Sequence, residues 1–142
     1  MMNDSKGQVA LEYLLIFAVS LILLIVFTLP LTEQTIENAL DVSDTLDAKS
    51  DLSEISHAVK EVYGQGQGSR QTIHLALSKD LKVDVADSCV SCSIKLKDGK
   101  AKTEKMYFKS TLEESNIYLK KGENSVVVEW PENSENMQIF VS

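Results

Sequence analysis

From Tyr13 to Leu31 the chain is apolar apart from Ser20, Thr28 and Pro30. About 20 apolar residues cross a bilayer as a helix, whereas a run of 10 to 14 does not. The pattern therefore predicts a dry helix over residues 8–31. Beyond it, Ile36, Leu40, Leu46, Leu52, Ile55, Val59 and Val62 recur mostly at three- and four-residue steps, with two wider gaps of six. That spacing predicts an amphipathic extension of the same helix over residues 32–63. Pro30 removes one backbone bond and crowds the carbonyl four residues back, so a kink is expected there. Gly64 is the expected stop, followed by a Gly-rich flexible linker over 64–69.

From Arg70 the period changes to two. Ile73, Leu75 and Leu77 alternate with Thr72, His74 and Ala76, and Leu81, Val83 and Val85 alternate with Lys82 and Asp84. Ile94 and Leu96 lead into Asp98-Gly99, a tight-hairpin signal. Further strands are expected near 106–109, 116–120, 125–130 and 137–141. Residues 70–142 thus read as an antiparallel β head of six or seven short strands. Together these elements predict an α+β fold: a long kinked N-terminal helix packed on a C-terminal antiparallel β domain.

Charge sharpens this picture. The formal net charge is −7 for 142 residues, which argues against nucleic acid as a partner, because such binding needs a basic surface. Residues 32–63 carry eight acids against Lys49 and Lys60 alone, so the acidity belongs to the helical extension. Lys6 precedes the apolar run, and no base follows it before Lys49. The positive-inside rule then places the N-terminus in the cytoplasm and the head outside. Ala-x-Ala does not follow the run, so it does not read as an ordinary cleaved secretory signal.

Glu12 is the anomaly. A carboxylate at the middle of a bilayer costs roughly 2.5 to 3.5 kcal/mol and persists when paired. No basic side chain lies near it on the helix, but cleavage between Gly7 and Gln8 would create an α-amine one turn away. Glu12 is then half of a pair whose other half is made by proteolysis, within one chain or between neighbours.

Lys6-Gly7-Gln8-x-x-x-Glu12 ahead of a 19-residue apolar run resembles the class III signal peptide of archaeal type IV pilins. The resemblance covers residues 5–31. Ala10 and Ile16 stand where that family commonly has Ser and Leu. The resemblance implies a leader over residues 1–7 removed by a prepilin peptidase at Lys6, Gly7 and Gln8. It implies assembly through Gln8 and Glu12 into a cell-surface filament of pilin subunits, with adhesion among such filaments' roles. An assembly ATPase and a membrane platform protein act indirectly. The alternatives are a minor pilin or pseudopilin, or an uncut single-pass membrane protein whose head binds a surface ligand.

The remaining chemistry is sparse. Cys89 and Cys92 lie on the outer side by this reading, where a disulfide between them is favoured over free thiols, and both over a metal. Lys95, Lys97, Lys100, Lys102, Lys105 and Lys109 surround the predicted hairpin. They read either as guards of an exposed strand edge or as a docking patch for another subunit's acidic helix. No catalytic set, metal site or cofactor motif is apparent, and an enzyme is not expected.

Overall fold

A computed structural model describes residues 4–142, with side chains from Gly7 onward. Helix α1 runs from Asp4 to Gln65, and seven strands complete the chain: β1 (Arg70–Leu77), β2 (Leu81–Ala86), β3 (Cys89–Lys95), β4 (Ala101–Tyr107), β5 (Ser115–Leu119), β6 (Gly122–Glu129) and β7 (Gln138–Val141). The expected α+β fold is the one the chain adopts. It divides into two compact units, the first ending at Leu40 and the second running from Asp41 to Ser142.

In the first unit every described residue is exposed, including the apolar run from Val9 to Leu31. A helix that is apolar all round has no place in water. Its few polar side chains are turned inward on the backbone: Ser20 donates to the Ile16 carbonyl (2.8 Å), Thr28 to Leu24 (2.6 Å) and Thr32 to Thr28 (2.8 Å). Those hydroxyls therefore need nothing from a solvent that cannot hydrogen-bond. Pro30 lies inside α1, which stays helical on both sides of it.

The second unit is built around one stripe of α1. Ala48, Leu52, Ile55, Ala58, Val59 and Val62 are buried, and Thr45 continues the stripe. Leu46 is 59% exposed, contrary to expectation, and Ile36 and Leu40 are exposed as well. Six residues turn a helix through about 600°, so the two wide gaps leave the face that the three- and four-residue steps define.

The helix ends on Gly66, not Gly64. Gly66 has φ +89° and donates its N–H to the Val62 carbonyl at 3.0 Å, a left-handed helix cap. Residues 66–69 form a bonded turn in place of the expected flexible linker. Gly68 N–H donates to Trp130 O (2.7 Å), Trp130 N–H to Ser69 O (2.9 Å) and the Ser69 hydroxyl to Val62 O (2.9 Å). Tyr63 and Trp130 stack beside it at 5.7 Å between ring centres.

The strands form two antiparallel sheets, ordered β1-β6-β7 and β4-β3-β2-β5. Register pairs apolar with apolar on the inner faces: Ile73 opposite Val126, and Val83 opposite both Cys92 and Ile117. Both inner faces and the α1 stripe share a single core. Each large apolar side chain placed there contributes roughly 1.5 to 3 kcal/mol.

Candidate processing and assembly site

Lys6 has a side chain outside the described residues. Gly7, Gln8 and Glu12 lie on α1 and are exposed. Gly7 is the informative one. A Cβ added to it would meet nothing within 4 Å, and its φ is not positive. Glycine inside a helix costs about 1 kcal/mol relative to alanine. Among the described residues, neither packing nor a positive φ calls for a glycine at this position. Glu12 makes no ion pair among the described residues. Its side chain stands in the same unpartnered apolar surface as Tyr13, Ile16 and Leu15.

The two cysteines depart from expectation. Both are free thiols, and both lie within β3, not in a loop. Three residues apart on an extended strand they face opposite sides, with Cα atoms roughly 10 Å apart. A disulfide needs about 4.4 to 6.8 Å. Cys92 is fully buried in the core, where burial first, and the Glu104 carboxylate second, push its thiol up to about 11. Cys89 is half-buried on the other face.

The lysine cluster lies where the hairpin signal put it. β3 and β4 are joined by a turn in which Gly99 has φ +82° and Lys100 N–H donates to Asp98 Oδ1 at 2.9 Å. That amide holds Asp98 below the ordinary carboxylate range. Lys100 pairs with Asp98 (3.4 Å) and Lys102 with Glu104 (3.0 Å). The side-chain ammonium groups of Lys95, Lys97, Lys105 and Lys109 make no ion pair among the described residues. β4 is the edge of its sheet and carries Lys102 and Lys105.

Sequence reasoning missed two tethers. Asp41 accepts the Lys97 N–H at 3.1 Å, and Asp44 pairs with Lys79 in the β1–β2 connection. Both acids looked like part of a diffuse negative field. Instead each fixes a turn of the head to α1, and only their partners' distance in sequence concealed it.

Neither the curated proteins nor the solved structures include a match to this chain. Residues 5–31 match the family model of the class III signal peptide, which covers the Gly7-Gln8 junction, Glu12 and the whole apolar run.

Proposed function

We propose that this chain is a subunit of a type IV pilus-like surface filament. It is made as a membrane precursor with its N-terminus in the cytoplasm and cut by a prepilin peptidase between Gly7 and Gln8. It is then polymerised with other pilin subunits through its apolar helix. The observation that carries the reading is the class III signal peptide on a helix whose apolar surface is wholly unpartnered. That surface has two dry settings, lipid before assembly and a helical bundle after it, and the helix keeps its backbone bonded in both. Gly7 supplies the opening for the protease, and Glu12 meets the amine that cleavage exposes. An isolated buried charge would be costly in the bundle, whereas a pair is tolerated.

The test is a bulky residue at the junction. Gly7→Val should prevent removal of residues 1–7 and hold the full chain in the membrane, read by intact mass of the membrane fraction. A Gly7→Val chain trimmed as efficiently as the parent would count against cleavage at this bond.

A further inference from the structure

Beside the buried stripe of α1, a groove of about 430 Å³ opens between the helix and β1, lined by Glu54, His57, Glu61, Gln71 and Ile73. β1 is the edge of its sheet and bonds only to β6. Its one formal charge is Arg70, at its first position and paired with Glu129 (3.8 Å); past it no charged side chain or proline guards that edge, and an unguarded edge is a template for another strand. At the far edge of the other sheet stands β4, which bonds only to β3 and carries Lys102 and Lys105. Its hairpin adds Lys95, Lys97 and Lys100 against Asp98 and Glu104 alone.

We propose that the α1–β1 groove receives the basic β3–β4 hairpin of a second copy of this chain. Charge selects the pairing. Two β4 edges repel through their lysines, but a β4 edge meeting the groove faces Glu54 and Glu61. Backbone pairing along β1 supplies affinity, and the carboxylates supply register. Groove and hairpin are different surfaces, so the contact is heterologous and repeats from copy to copy without self-closure by a two-fold. This dock rests on the filament reading above and names the head-to-head contact within it.

Carbodiimide coupling joins a lysine to a carboxylate only where they touch. Applied to sheared surface filaments of the full chain, it should yield covalent dimers in which a hairpin peptide is linked to the peptide holding Glu54 or Glu61. Lys97→Glu with Lys105→Glu should lower that dimer at least tenfold. Adding Glu54→Lys and Glu61→Lys to the same chain should restore it to within about twofold. Dimers joined through other residues in the parent chain would overturn the dock, without need of any variant. So would a reversal that leaves them unchanged, or a double reversal that fails to restore them. An uncut chain that forms no filaments would instead overturn the filament reading beneath it.

Discussion

Glu12 has no ion-pair partner among the described residues. Its neighbours are apolar side chains facing outward. On the proposed reading its value depends on the amine that cleavage supplies. Glu12→Gln keeps the shape and removes the charge. We expect that variant to be cut normally, keep a native head and stay in the membrane without assembling; normal filament yield would reduce Glu12 to an edge residue that reaches for water. Asp51 shows the opposite case, a charge the fold would be better without. Burial first, then Glu54 and Asp47, raise its carboxyl above the ordinary value. A raised folded-state value means the ionised form opposes folding at neutral pH. Stability is regained as pH falls through that raised value. Asp51→Asn should raise the unfolding free energy from urea denaturation at pH 7 by roughly a few tenths of a kcal/mol, since most of the group remains in water. The gain should vanish below the ordinary carboxyl value of 3.8. At Cys89 and Cys92, the strand geometry predicts that alkylation of denatured, unreduced protein labels both; a chain that takes up no label would mean a bridge and a distorted β3.

At the scale of elements, periodicity carried most of the information. Helix, hairpin and most strands lie where three- to four-residue and two-residue spacing placed them, but β3 starts at Cys89 and β4 runs over Ala101–Tyr107 instead of 106–109. The exceptions have physical causes. Val90, Cys92 and Ile94 form one inward row of β3, but a cysteine suggests chemistry as readily as a small apolar residue, which conceals the alternation. The split into two sheets was not legible either, because β1, ending at Leu77, pairs with β6, beginning at Gly122, across 44 residues of intervening chain and alternation says nothing about partners. The helix stop moved from Gly64 to Gly66 because the cap requires positive φ, and glycine identity alone does not reveal which of three takes it. Gly66→Ala should accordingly cost about 1 kcal/mol or more, through left-handed strain at that single residue. Gly64→Ala, on regular helix with open space around it, should be neutral or slightly stabilising. Equal melting temperatures for the two variants would contradict the cap.

The whole molecule joins two units with different solvents. The first presents apolar surface on every side; the second buries its own, and its buried helix stripe begins only at Thr45 and Ala48. A head comprising residues 41–142 should therefore be soluble and cooperatively folded without the apolar helix, by circular dichroism and thermal melting. The signal-peptide stretch was more legible than the fold's connectivity, since it is a short continuous pattern, and Gly7, Gln8 and Glu12 stand in order within the matched residues 5–31. The lysine cluster was legible as a candidate docking patch, but the free edge of β1 was not, because it depends on strand order. The central claim is that residues 1–7 are lost and the remainder polymerises. Intact mass of the subunit in filaments sheared from the cell surface tests it most directly. The account predicts a chain beginning at Gln8, lighter by the seven leader residues. A surface-exposed chain that still begins at Met1 or Met2, with no filament containing it, would contradict the account.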